Sequence, residues 1–509
     1  ADKYVIGLYS IFGANTEMRG GDAYASPRLS DAYSDILKST SWNQYNHNFN
    51  ATLLQETAFN SNSAGAFECW SSHYDRIRRE NEFLRDAAEF GRKFGEDWLK
   101  IRIAEVRFCR AYAYFMLCRV YGGVILRTEV DGPEQNDKAR STEEECWGFI
   151  INELKELAPD LPLKWDSDNS GRATQKAAYG LLSRVALYAE KWDVAAQAAR
   201  DCATAEGNLD LSKNGYAKIF ELGINSPEVL FAVEFKSSVI DHAYDAYVRP
   251  SGDTKELGKQ VYSGFVPTSE LVDSYEMAGD GGNFSWEKHG KDPYANREPR
   301  FYATILYNGA DWMGRKIESF VGGKDGYKAY ENAGAAGTTV TGYYLRKYLI
   351  DGDKTWVTSG SGQDWIVLRY AEVLLNKAEA LAMENWNKNS AEALQALNDV
   401  RARVGLPARA TADKETFLEY VRHERKVELA GEGFRYWDLR RWRLAEKVID
   451  GQNVHGVKIS KQSDGSFTYE QVDADGGHKR IFYDRYYRFA IPLSERSNNS
   501  LCTNNDGWI

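Results

Sequence analysis

Large side chains at Trp70, Tyr74, Ile77 and Leu84, with Asn81 among them, recur every three or four positions. After a short break Ile101, Phe108, Tyr112 and Phe115 do the same, with Glu105 and Arg119 on the same stripe. That period predicts two long amphipathic helices. The second ends at Tyr121-Gly122-Gly123, and residues 131–140 carry the Gly, Pro, Asn and Asp of a loop. Further helices are predicted over 143–158, 174–190 and 194–205, and a helical pattern opens the chain over 4–9. Between 39 and 67 the polar residues are mostly Asn, Ser and Thr, with aromatic residues scattered among them, which predicts loop.

The run AAYGLLSRVALYAEKWDVAAQAARDC (177–202) sets small residues where two helices cross and Trp192 at their turn. This is the pattern of a tetratricopeptide-type pair. A second copy lies at 368–405, with Trp386 in the place of Trp192. The spacing between copies is irregular, so the pattern predicts a helical scaffold with large insertions. The fold class expected is mainly α, in one domain over 1–509, with tetratricopeptide-like pairs forming a scaffold, long loop-rich insertions and a few short strands. Scaffold is expected at 69–205 and 366–448, loop-rich insertions at 39–67 and 207–364, and an irregular C-terminal segment at 449–509. Within these, 229–235, 467–472 and 487–490 read as strands, 269–275 as a helical turn or two, and 451–465 as turns.

Charge patterning sharpens one place. Glu424, Glu428 and Glu432 are spaced by four, so a helix stacks them on one stripe, where unpaired like charges repel. Arg435, Arg440 and Arg441 follow, and Gly431 with Gly433 allows one helix to stop and another to begin. Back-to-back helices would pair these carboxylates with guanidiniums, beside a face of Phe434, Trp437, Arg441 and Leu444. The cluster reads as a clamp between helices, since Arg cannot serve as an acid near neutral pH and no nucleophile is close.

The stretch ERKVELAGEGFRYWDLRRW (424–442) resembles the signature of the SusD/RagB family of outer-membrane nutrient-capture lipoproteins. Other stretches are similar to the family as well: 108–117 with Tyr121-Gly122-Gly123, LRYAEVLLNKAEA (368–380), IPLSE (491–495) and NNDGW (504–508), the last with Asp506 where the family often has Pro. The resemblance implies a lipid on an N-terminal Cys absent from this chain, and a position on the outer face of the outer membrane. It further implies a SusC-like TonB-dependent transporter as partner and glycan capture without catalysis.

Composition narrows the chemistry. The net charge is −10 with no basic stripe, which argues against a nucleic-acid partner. Six dispersed Cys form no CxxC pair, and Asp166-Ser-Asp-Asn-Ser-Gly171 departs from a calcium loop by having Ala177 at its twelfth position, so neither a metal nor a cofactor is expected. The longest apolar stretch, 111–126, is interrupted by Arg119 and falls short of a membrane span. No signal peptide opens the chain, and Ala1-Asp2-Lys3 reads as a trimmed start. No nucleophile elbow, HExxH or phosphate-binding glycine loop occurs.

The chain holds 31 Tyr, 22 Phe and 14 Trp, enough to leave aromatic rings for surfaces outside the core. Flat rings cover the apolar face of a sugar while Asn, Asp, Gln and Arg bond its hydroxyls. Such rings and planar polar groups interleave at Trp42 and Tyr45, and again at Trp286, Tyr294 beside Asn296, Trp312 beside Arg315, and Tyr327. These are the expected ligand-binding residues. Trp70, Trp192, Trp386, Trp437 and Trp442 are expected in the scaffold. Peptide capture by the same scaffold and a carbohydrate-active hydrolase stand as alternatives at this point, and the sequence does not name the sugar.

Overall fold

Side-chain caps start several of the helices. Thr142 and Glu145 form a reciprocal capping box at the head of Glu143–Leu157. Thr174 caps Gln175–Tyr188, and Asp413 caps Lys414–Glu428. The computed structural model describes residues 2–14, 29–39, 59–132, 137–330 and 338–508. Trp70–Phe90, Glu96–Tyr121, Glu143–Leu157, Gln175–Tyr188, Trp192–Thr204, Tyr370–Arg403 and Lys414–Glu428 pack each on the next, a mainly helical stack. Glu96–Tyr121 is buried on most of its circumference, as befits a central helix. It stops at Gly122, which has φ +76°, and a Cβ on Gly123 would lie 2.4 Å from the Ser141 carbonyl oxygen.

The two pairs read from the sequence are present. Ala177, Ala178, Ala195, Ala196, Ala198 and Ala199 are buried where Gln175–Tyr188 meets Trp192–Thr204. Tyr370–Arg403 is broken at Asn385, whose φ of −164° and ψ of 94° are not helical. Trp386 therefore opens the second half of its pair, as Trp192 opens its own helix. The insertion leaves and re-enters through one neck, where Val229–Val233 pairs antiparallel with Trp365–Arg369. Leu368 and Arg369 thus belong to a strand, with the helix starting at Tyr370.

Two expectations at the C-terminal end are corrected. Residues 451–465 are not only turns: His455–Lys461 is a strand paired with Phe467–Asp473, with Val457 and Ile459 fully buried on its inner face. Their alternation with Lys458 and Ser460 is the period of two that a half-buried strand requires. Residues 487–490 are not a strand. Asp484–Tyr487 is a short 3-10 turn, and Asn505 ties the segment after it by donating to the carbonyls of Phe489 and Tyr121.

The Glu424, Glu428 and Glu432 stripe does clamp the molecule, but its partners come from elsewhere in the chain. Arg300 holds Glu298, Glu424 and Glu428 at 2.6, 2.5 and 2.9 Å. Arg369 holds Glu228, Glu428 and Glu432 at 2.9, 2.7 and 2.7 Å. Arg401 reaches Glu276 and Glu424, Arg403 reaches Glu228 and Glu428, and Lys347 reaches Glu432, all buried. Burial pushes Glu428 up, yet Arg403, Arg369 and Arg300 outweigh it and hold the group well below the usual carboxylate range. Arg435 instead pairs with Asp35, Arg441 with Glu379 and Asp438, and Arg440 donates to the Tyr487 carbonyl. Gly431 and Gly433, at φ +77° and +80°, turn the chain so that their N–H groups and that of Arg435 converge on buried Asp31. The clamp joins insertion, neck and stack, because Arg300 and Lys347 lie in the first, Glu228 and Arg369 at the second and Glu424 and Glu428 in the third.

Candidate functional site

The structure divides the residues expected to bind ligand. Trp312 is fully buried: its indole N–H donates to Asp253 at 3.0 Å and Arg249 lies over its ring at 5.2 Å. Arg315 is engaged by Asp253 and Asp325 at 2.8 and 2.6 Å. The expectation that these two face ligand is corrected. Asp253 takes the indole N–H, and Asp253 with Asp325 holds the two terminal nitrogens of the guanidinium inside the insertion, which makes both residues anchors of the loop. Tyr327 is 8% exposed and Tyr294 6% exposed, so neither presents an open ring face. Trp42 and Tyr45 lie outside the described residues.

Trp286 and Asn296 remain at the surface. Trp286 is half-buried, and its indole N–H donates to Asp273 at 3.0 Å, which sets the direction of the ring. Burial pushes the Asp273 carboxyl up to about 6. Asn296 is exposed, with a left-handed φ of +54° that Asn tolerates.

From Trp286 a chain of rings runs across the insertion. Trp286 meets Tyr469 at 5.9 Å, Tyr469 meets Tyr294 at 5.9 Å, Tyr294 meets Tyr307 at 4.7 Å, and Tyr307 meets Tyr302 at 6.0 Å. Only Tyr294 in the middle is buried; the other four are half-buried. The loop beneath is pinned by Arg297, which donates to the carbonyls of Pro293, Val272 and Tyr275 between the rings of Phe284 and Phe301. Tyr302 is fixed in turn, its hydroxyl donating to the Tyr294 carbonyl at 2.7 Å.

Beyond Tyr302 the ring chain opens on a cleft of about 720 Å³ between Gly215–Leu222 and the insertion. Lys218, Glu221, Tyr302, Arg346 and Arg403 are among its walls. Glu221 is the single carboxylate lining it among the described residues. A second cleft, of about 690 Å³, lies against the first helices with Ile6, Tyr9, Phe12, Phe231 and Ile240 in its walls. Its surface is the less polar of the two and suits a sugar less well than the ring-edged first cleft, whose walls carry more charged groups.

Sequence reasoning missed Tyr302, Tyr307, Tyr469, Arg346 and Lys218 as site residues. Tyr469 had a usable signal, since Phe467 and Tyr469 share one face of a strand by alternation. Lys218 and Arg346 had none, because only the folding of the insertion onto Gly215–Leu222 brings them to one cleft.

A family model described as "SusD family" matches residues 227–508, more than half of the chain. The chain belongs to the SusD family. A second model, described as "Starch-binding associating with outer membrane", matches residues 8–187. A SusD-like protein of Bacteroides ovatus is 26% identical over 452 residues, covering 83% of this chain and 74% of that one. Among solved structures, a SusD-like protein of Bacteroides fragilis has a TM-score of 0.85 at 27% identity, with 100% of this chain and 96% of that one covered. A SusD-like carbohydrate-binding protein of the same species has a TM-score of 0.81 at 24% identity, with 98% of each chain covered. The mainly helical architecture is thus that of SusD-like structures. Among the described residues no helix is long and apolar enough to cross a membrane.

Proposed function

We propose that this SusD family member captures oligo- or polysaccharide without breaking it and delivers it to a TonB-dependent transporter of the outer membrane. In this reading it acts on the cell surface, held by a lipid at its N-terminus. The observation that carries the proposal is the run of half-buried rings, Trp286 and Tyr469 at one end and Tyr307 and Tyr302 at the other, leading into a cleft that Lys218, Glu221 and Arg346 help to line. Part-exposed rings present apolar faces for sugar C–H groups, and Asn296 and the cleft's polar side chains bond hydroxyls. The starch binding and outer-membrane association by which the family matched over 8–187 is described support the same reading.

Glycosidic hydrolysis normally needs two carboxyl groups facing one bond, and among the described residues the cleft walls offer Glu221 alone. Asp273, with its raised pKa, is held by the indole of Trp286. This favours a binding protein over a hydrolase. Affinity electrophoresis in gels cast with a panel of polysaccharides tests the proposal. Retardation by at least one of them, reduced in Trp286→Ala and Tyr302→Ala, is expected; no retardation by any would overturn it. Trp42→Ala and Tyr45→Ala extend the same test to the 39–67 segment.

A further inference from the structure

The chain carries a net charge of −10, yet Lys218, Arg297, Arg346, Lys347 and Arg403 line the cleft beside Tyr302 against Glu221 alone among the described residues. Two of these cations are compensated. Lys347 pairs with Glu432 at 2.9 Å, and Arg403 pairs with Glu228 and Glu428. The other three have no ion-pair partner among the described residues. Arg346, half-buried, has one side-chain hydrogen bond, to the Tyr302 carbonyl at 3.3 Å. Lys218 is exposed on the helix opposite. Arg297 is 2% exposed and bonds carbonyls only, and its Nε has no hydrogen-bond partner among the described residues. Arg403, also buried, likewise keeps an Nε without a partner.

Cations gathered in a partly desolvated cleft repel one another unless an anion joins them, and a guanidinium left without an acceptor is costly to hold out of water. The planar fork of Arg matches a carboxylate or a sulfate through two parallel hydrogen bonds, and a nearby ammonium adds charge without directional demand. Tyr302 lines the same cleft, its own carbonyl bound by Arg346, so an aromatic residue and a guanidinium are adjacent in the wall.

We infer that the cleft selects acidic saccharides, with a sugar ring against Tyr302 and Tyr307 and its anionic oxygens, of a uronate or a sulfate ester, on Arg346 and Lys218. This deepens the glycan-capture reading and rests on it. An acidic peptide would satisfy the cations but would leave the ring chain without a sugar face to cover, so the saccharide is favoured.

The test measures binding to the intact chain by isothermal titration. Probes are oligogalacturonate and its carboxyl-reduced form, a sulfated galactan oligosaccharide and its desulfated form, and oligoglutamate. The variants are Arg346→Gln, Lys218→Gln and Trp286→Ala, each checked for an unchanged melting temperature. At least one acidic saccharide is expected to bind tenfold or more tightly than its neutral counterpart, with affinity falling as salt rises. Arg346→Gln is expected to lose about tenfold for the acidic probe and at most about twofold for its neutral counterpart. The uronate and sulfate arms separate the two sources of negative charge. Equal binding of neutral and acidic forms, unaffected by Arg346→Gln, overturns this inference and leaves glycan capture standing. Binding of oligoglutamate alone, lost in Arg346→Gln, overturns it in favour of peptides. No binding of any saccharide overturns both.

Discussion

Arginine plays opposite parts in two adjoining regions. In the clamp, Arg300, Arg369 and Arg401 are buried among Glu228, Glu276, Glu298, Glu424, Glu428 and Glu432. At the cleft, Arg297 and Arg346 meet carbonyls and no carboxylate among the described residues. Arg403 stands at the border, paired on one side and lining the cleft on the other. The difference teaches where to look for function in a charge-rich chain. A guanidinium already bonded to two carboxylates is consumed by architecture, whereas one facing open volume without a counter-charge can still meet a ligand.

Breaking the clamp should cost the most. Arg369→Met removes the partner shared by Glu228, Glu428 and Glu432, and a buried pair broken on one side loses about 3–5 kcal/mol. Urea denaturation should show that loss, while the folded fraction keeps its glycan affinity.

The two tryptophans of the insertion separate anchor from platform. Trp312→Ala empties a fully buried site and should cost about 3–5 kcal/mol of stability, with little change in ligand affinity. Trp286→Ala should do the reverse, losing about tenfold in affinity, or about 1.4 kcal/mol, with a smaller change in melting temperature. Equal effects of the two on both readouts would erase the distinction between them.

The pH dependence of stability sharpens the comparison further. Glu428 and Asp438 are buried, but neighbouring guanidiniums hold both below the ordinary range. The unfolded chain therefore binds protons first as pH falls, so their contribution is present above the unfolded carboxylate pKa and is lost on acidification below it. Glu80 behaves oppositely. It is fully buried with no hydrogen bond to either carboxylate oxygen among the described residues, and burial pushes it from 4.5 up to about 8. The folded state then holds the extra proton between those values, and stability falls as pH rises through that window. Glu80→Gln should remove this slope, gaining roughly 1–3 kcal/mol near pH 8 and nothing near pH 4. Parallel melting curves for wild type and Glu80→Gln at every pH would contradict the assignment.

Much of the frame was legible before any coordinates. The three- and four-residue period gave the helices, and the alanines around Trp192 and beyond Trp386 marked the paired ones. The clamp was legible as a clamp from Glu424, Glu428 and Glu432, but its partners were not. Arg300, Arg369 and Arg401 are distant in sequence, and spacing along one helix speaks only of neighbours on that helix. At the site the failure had one cause. Trp286 and Trp312 look alike as Trp residues in polar loops, and both indoles donate to a carboxylate; what separates them is that the fold closes over Trp312 on every side and leaves Trp286 half-buried. Asp253 and Arg249 meet the buried indole of Trp312.

One experiment weighs the whole account: a polysaccharide that retards the wild-type protein in affinity electrophoresis is incubated with it, and reducing ends are assayed alongside. Retardation that weakens in the Trp286→Ala, Tyr302→Ala double variant, with no reducing ends released by either protein, is the expected result. Release of reducing ends by wild type, or undiminished retardation of the double variant, would contradict it.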